Sequence, residues 1–236
     1  GPFTFEEWKP GSKLTFVRFD DYWRGKPALE GVEVSVIPDA QTQVSQLRAG
    51  QLDTILGASY RDFETLDKDA AFTVNQWDGA EGQIYVGTAV KNPALADIRV
   101  RRAIAFALDR KRVVTEVLRG AGVAITLPWP SYSPAYDKEV NDTYSYDLAQ
   151  AKKLVDEAKA DGVEIPTLPL TYPAENPLYG ATAQIVQADL AKIGIEVELD
   201  PKEQASVIQD LIGAKFPALW ILSHAYAHYT PSTLAV

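Results

Sequence analysis

His224 and His228 are the only histidines among the 236 residues, and they stand four positions apart. On a helix that spacing places two imidazoles on one face. With an acidic ligand from elsewhere, they would hold a hydrolytic metal ion. The surrounding run, S-H-A-Y-A-H-Y-T-P, follows a buried-strand pattern and precedes Pro231. A loop is therefore the expected setting, with the histidines structural or lining a cleft. The second group able to meet a ligand is the Pro- and aromatic-rich stretch Leu127 to Tyr136. Its Trp129, Tyr132 and Tyr136 combine flat apolar faces with polar tips, the mixture found in ligand pockets carried on loops; the alternative is a loop in which Trp129 covers a sheet edge.

Other chemistry finds little support. No G-x-S-x-G, P-loop or G-x-G-x-x-G phrase occurs, so neither a nucleophile elbow nor a phosphate cradle is signalled. Cysteine is absent, which removes thiolate catalysis, disulfides and cysteine-ligated metals together. The 23 basic and 32 acidic residues give a net charge of −9, which argues against nucleic acid or an anionic membrane as partner. No apolar run approaches the ~20 residues of a membrane helix. Lys152 with Asp156 and Lys153 with Glu157 read as a solvated helix face. Arg99, Arg101 and Arg102 could meet an anionic ligand but fit better as exposed or ion-paired charges on a scaffold helix. No cofactor is implied.

The elements that would position these groups centre on Asp97 to Arg119, D-I-R-V-R-R-A-I-A-F-A-L-D-R-K-R-V-V-T-E-V-L-R. Asp97 is placed to cap a helix whose Val100, Ala103, Ile104, Ala107 and Leu108 form one apolar face. Asp109 offers a second cap, after which Val113, Val114, Val117 and Leu118 are expected to continue the burial up to a left-handed exit at Gly120. Strands are expected at Lys13 to Phe19, Val32 to Ile37, Leu52 to Leu56, Ala71 to Trp77, Gln83 to Ala89, Thr167 to Tyr172, Ile195 to Leu199 and Ala218 to Leu222. Helices are expected from Asp39 to Gly50, Tyr60 to Asp67, Asp147 to Ala160, Asn176 to Ile193 and Lys202 to Ile212. The strand, helix, strand order from Val32 to Leu56 suggests a short βαβ unit. The alternation predicts an α/β fold with a mixed, mostly parallel sheet and helices packed on it.

The phrase D-x-R-V-R-x-A-I-x-x-A-L-D-R resembles the signature of the peptide/nickel (family 5) extracytoplasmic solute-binding proteins of ABC importers. Further phrases agree in order: Gly1-Pro2-Phe3 through Trp8 with Pro10-Gly11, Tyr22-Trp23-Arg24-Gly25, Leu47-x-x-Gly50-x-x-Asp53, Tyr146-Asp147 with Ala151-Lys152-x-Leu154, and Leu190-x-x-Ile193-Gly194-Ile195. The resemblance implies a two-lobed, periplasmic-binding-protein-like fold, of which residues 1–236 form a single ligand-binding lobe excised from a larger protein. The absence of methionine fits a processed or excised piece, and no basic-then-apolar leader opens the chain. The implied partners are a small solute such as an oligopeptide, membrane permease subunits and the missing second lobe, in an extracytoplasmic setting as a periplasmic or cell-surface protein.

The resemblance also implies where ligand residues fall. Peptide binders of the family commonly read F-N-T before the central helices, where this chain has Gly87-Thr88. They commonly read G-W-x-x-D-x-x-x-P after the last strand, where aligning on Pro231 puts His224 at the tryptophan and Ala227 at the aspartate. The expected ligand-binding set is Thr88, Trp129, Tyr132, Tyr136, His224 and Tyr226. A ligand ammonium buried without a carboxylate costs a few kcal/mol or more, about the price of an unpaired buried charge, so free-amine peptides are disfavoured. The alternatives to an importer's receptor are a metal-dependent hydrolase using His224 and His228, and a sensing receptor built on the same cleft.

Overall fold

The computed structural model describes residues 1–56, 58–75 and 82–225. The chain divides into two compact units, Gly1–Val74 and Asn75–Val236.

The first unit holds a three-stranded antiparallel sheet in the order β1-β2-β3, with β1 at Phe3–Lys9, β2 at Lys13–Arg18 and β3 at Gly31–Ser35. A bulge between Phe5 and Glu7 shifts the β1 register, so that Phe5 faces Phe16 and Trp8 faces Leu14. Helix α1 (Ala40–Arg48) starts where the Asp39 carboxylate accepts from Thr42 N at 2.7 Å. Gly50, at φ 70°, supplies its left-handed exit. Helix α2 spans Tyr60–Asp67 and is capped by Ser59.

Two sequence expectations fail in this unit. Leu52 to Leu56 forms no strand, and Leu56 is 81% exposed. With that strand gone there is no βαβ unit; β3 pairs antiparallel with β2 instead. Ala71 to Asn75 likewise carries no strand, and the rest of that expected strand, Gln76 and Trp77, lies outside the described residues.

The second unit is built on a mixed four-stranded sheet in the order β4-β7-β5-β6. Its strands are β4 (Gly82–Thr88), β5 (Leu168–Pro173), β6 (Val197–Lys202) and β7 (Leu219–Ala225). β4 runs antiparallel to β7, whereas β5 is parallel to both β6 and β7. This is the α/β class and mostly parallel pairing that the alternation predicts.

One face of this sheet carries the main core. Short α3 (Pro93–Ala96) leads into α4 (Ile98–Ala107), and α7 (Leu148–Ala160) and α8 (Pro177–Ala191) complete the layer. Val100, Ala103, Ile104 and Ala107 of α4 meet Ala151, Val155 and Ala158 of α7, and Leu168, Leu170, Leu219 and Ile221 cover them from the sheet. Each such valine, leucine or isoleucine contributes about 1.5–3 kcal/mol through removal from water. α9 (Gln204–Ile212) presents Val207 to a smaller cluster with Phe216 and Leu222, against which Tyr85 and Trp220 pack.

The central caps form as the sequence requires. Asp97 accepts from Arg99 N at 2.7 Å, and Asp109 accepts from Arg112 N at 3.0 Å. The continuation differs. α5 (Arg110–Arg112) widens into a π-helical turn at Val113–Val117; full burial ends at Ala107, and Leu108, Val113, Val114, Val117 and Leu118 are only half-buried. The corner is held elsewhere: Asp189 of α8, fully buried, accepts from Asp109 N at 2.9 Å and from Lys192 Nζ at 2.7 Å. Arg110 caps the end of α4 by donating to Ala105 O at 3.0 Å and Leu108 O at 3.3 Å. A short α6 (Lys138–Asp142) follows the aromatic loop.

Candidate functional site

The connections around β5 set the location. From β5 the chain crosses through α8 to β6 on one side, then returns through α9 to β7 on the other side. Chain order therefore reverses at β5, and open α/β sheets form their crevice beyond the carboxyl ends of the strands at such a point. The residues there are Ser223 and His224 of β7, Tyr172 and Pro173 of β5, and Gln83 at the antiparallel start of β4.

Side chains tie this edge together. Tyr179, near the start of α8, hydrogen-bonds through its hydroxyl to Ser223 Oγ at 2.7 Å. Pro177 and the Asn176 cap, whose side-chain oxygen accepts from Leu178 N at 3.0 Å, fix where α8 begins. Gln83 stands directly across from His224 and donates through Nε2 to Leu127 O at 2.8 Å. That bond fastens the start of the aromatic loop to the sheet.

The loop is internally ordered. Asn141 of α6 accepts at Oδ1 from Thr126 N at 2.9 Å and Leu127 N at 3.3 Å, and its backbone carbonyl accepts from the Thr126 hydroxyl. Buried Ser133 donates through its N–H to Pro130 O at 2.9 Å, and Tyr136 N donates to Ser133 O at 3.0 Å. Trp129 and Tyr136 are half-buried and Tyr132 is exposed. The loop thus presents its aromatic side chains from a pinned backbone.

The sequence-predicted residues separate into two places. His224 shares the carboxyl edge with Gln83, and the fastened loop carries Trp129, Tyr132 and Tyr136. Thr88 stands at the opposite end of β4, across from Leu219, roughly 17 Å from Gln83 along the strand. Alternation also turns Thr88 toward the face opposite that of Gln83 and His224. Tyr226, Ala227 and His228 lie outside the described residues. His224 is in a strand, not the loop expected, because β7 runs three residues beyond Leu222. Among the described residues no cluster of three or more His, Cys, Asp or Glu is disposed to hold a metal.

Sequence reasoning missed Gln83, Tyr179 and Ser223. Their only local signals are ordinary strand alternation and a helix position; the pairing of β4 with β7 joins segments over 130 residues apart, which no local pattern announces. It also missed Trp220, whose indole fills the space over Gly87. Two of the three candidate anion contacts are structural: Arg99 pairs with Asp97 at 2.8 Å and with Asp161, and Arg101 donates to Leu95 O at 2.7 Å, while Arg102 is exposed. The hydrogen-bonding Arg99 guanidinium and backbone N–H hold the Asp97 carboxyl below its usual pKa.

Comparison with known proteins places the chain in a family. The oligopeptide-binding protein AppA of Bacillus subtilis is 32% identical over 222 residues, which are 89% of this chain and 40% of AppA. Heme-binding protein A of Haemophilus influenzae is 30% identical over 198 residues, 83% of this chain and 36% of that protein. The structure of NikA from Brucella suis in complex with Fe(III)-EDTA superposes with a TM-score of 0.84 at 28% identity, covering 99% of this chain and 49% of NikA. The chain therefore spans half or less of the length of these relatives. The family model described as "Bacterial extracellular solute-binding proteins, family 5 Middle" matches residues 1–233, and the chain belongs to that family.

Proposed function

We propose that this chain is the ligand-binding part of a longer, two-lobed solute receptor that captures a small solute and delivers it to the membrane permease of an ABC importer. The observation that carries this reading is the family match over residues 1–233, together with a crevice edge at which Gln83 and His224 share one sheet face beside a fastened aromatic loop. The receptor works outside the cytoplasm, in the periplasm or as a cell-surface lipoprotein, and binds without turning its ligand over. Its partners are the solute, the permease subunits and the second lobe of the same protein; nucleic acid is not among them.

Peptides, heme and a chelated metal occur in the names of the relatives, so the family does not fix the solute. A peptide-like or other small solute held mainly by aromatic faces and neutral hydrogen-bonding groups fits the residues at this edge. Native mass spectrometry of the longer protein, purified without denaturation, tests the reading. A retained small molecule is expected, with its mass giving its identity. Repeated purification with no retained molecule, and no binding on titration with peptides, heme or metal chelates, would contradict it.

A further inference from the structure

The three-stranded sheet of the first unit has two unlike faces. Pairing puts Phe5, Phe16 and Val32 in one row across the strands and Trp8, Leu14 and Val34 in the next. All six are apolar and share one face. The other face carries Thr4, Glu7, Lys9, Lys13, Thr15, Glu33 and Ser35, with Val17 its one large apolar residue. The bulge in β1 makes this segregation: Phe5 and Trp8 are three residues apart and would point to opposite faces of a regular strand, but the extra residue brings both to the same one.

An antiparallel sheet with one apolar face normally packs that face on a core. This one does not pack. Phe5 and Trp8 are each 61% exposed and Val34 is 48% exposed, and no residue of the three strands is buried. The edge-on contact of Phe5 with Phe16, at 6.2 Å between ring centres, is the only ring pairing among the six. Leu14, Phe16 and Val32 are half-buried between these exposed neighbours, and an aligned apolar row whose Phe5, Trp8 and Val34 stand in water is a patch of the kind that marks an interface.

We propose that this face is the seat of the remainder of the longer polypeptide, which packs its own apolar residues over Phe5, Trp8, Leu14, Phe16, Val32 and Val34. This rests on the reading above that the chain is part of a longer receptor. The relatives supply the occupant: this chain accounts for 40% of AppA and 49% of NikA, so at least half of each lies outside the matched region. The occupant is apolar because no charge lies among the six residues; Arg18, which continues the same face beyond Phe16, already pairs with Asp20. Glu7, Glu33, Lys9 and Lys13 all belong to the opposite face, where Lys13 already pairs with Glu33.

The test uses the longer protein with a photo-crosslinking p-benzoyl-phenylalanine in place of Trp8, and separately the single variants Val34→Cys and Ser35→Cys labelled with a maleimide. The 236 residues contain no cysteine to interfere, and labelled sites are read by peptide mass. The expected result is a crosslink from position 8 to a peptide outside these 236 residues in the same molecule. The Val34→Cys variant should also label on the order of tenfold more slowly than Ser35→Cys, as for a site that opens only through local unfolding. A crosslink to a peptide within the 236 residues, or a crosslinked dimer, would assign the face to another occupant and overturn the proposal. So would equal labelling of the two variants. Solute retention is read independently, so a protein that keeps its solute with this face open refutes only the seat.

Discussion

A Cβ on Gly87 would lie 2.0 Å from Cε2 of Trp220, the residue directly across from it on β7. Glycine and tryptophan therefore act as one unit, with the indole occupying the volume that any side chain at position 87 would need. Phe216 stacks on the same indole at 4.5 Å between ring centres, nearly parallel at 11°.

Gly87→Ala is expected to destabilise the chain by about 1–3 kcal/mol, the usual cost of overpacking a cluster that cannot yield. Combining it with Trp220→Ala should recover part of the loss that the two single changes predict when added, because the clash then disappears. Urea denaturation of the four proteins measures the coupling. Strict additivity would mean that the ring moves aside freely.

Asp189 anchors the corner after α4 from a fully buried position. Replacing it with alanine removes acceptors from Asp109 N, Lys192 and, at 3.8 Å, Arg112. Hydrogen bonds involving a charged group contribute about 1.5–3 kcal/mol each, so a loss near the upper value is expected from Asp189→Ala. Lys192→Ala should cost less, since that cation is partly solvated. Equal losses from both variants would show that the ion pair, not the buried backbone contact, holds the corner.

The Asp97 cap has a predictable acid limb. Its carboxyl is held below the ordinary value of 3.8 by the Arg99 side chain and backbone N–H. The stabilisation is thus fully present above that ordinary value and fades as pH falls through the lower folded value. The stability difference between the parent and Asp97→Asn should be constant near neutrality and shrink below roughly pH 4, as linkage requires. Thermal melts from pH 7 to pH 2.5 provide the check; a difference that grows on acidification would contradict the cap.

Peptide chemistry offers a third kind of test. Ala227 stands where the family resemblance expects the aspartate that pairs with a peptide ammonium. Trialanine and N-acetyl-trialanine should therefore bind the longer protein with similar affinity, or not at all, in calorimetric titrations. Tight binding of trialanine that is lost on acetylation would place a carboxylate partner elsewhere in the site.

Much of the second unit was legible from sequence because its signals are local. Asp97, Asp109, Asp147 and Asn176 all cap the helices expected of them, through carboxylate or amide oxygens next to apolar periodicity. The first unit was less legible. The bulge at Phe5 to Glu7 breaks the alternation that would have revealed β1, and Leu52 to Leu56 has strand composition but joins no sheet. The candidate site was half visible. His224 and the loop around Trp129 stood out by residue type, but Gln83 and Ser223 matter through a pairing between distant segments, and that pairing also moves Thr88 to the far end of its strand.

The most direct measurement is hydrogen–deuterium exchange of the longer protein with and without the solute it retains on purification. Bound solute should slow exchange at residues 82–85, 127–136 and 222–225, the three segments that meet at the carboxyl edge. Solute that binds while those segments exchange unchanged would contradict this location of the site.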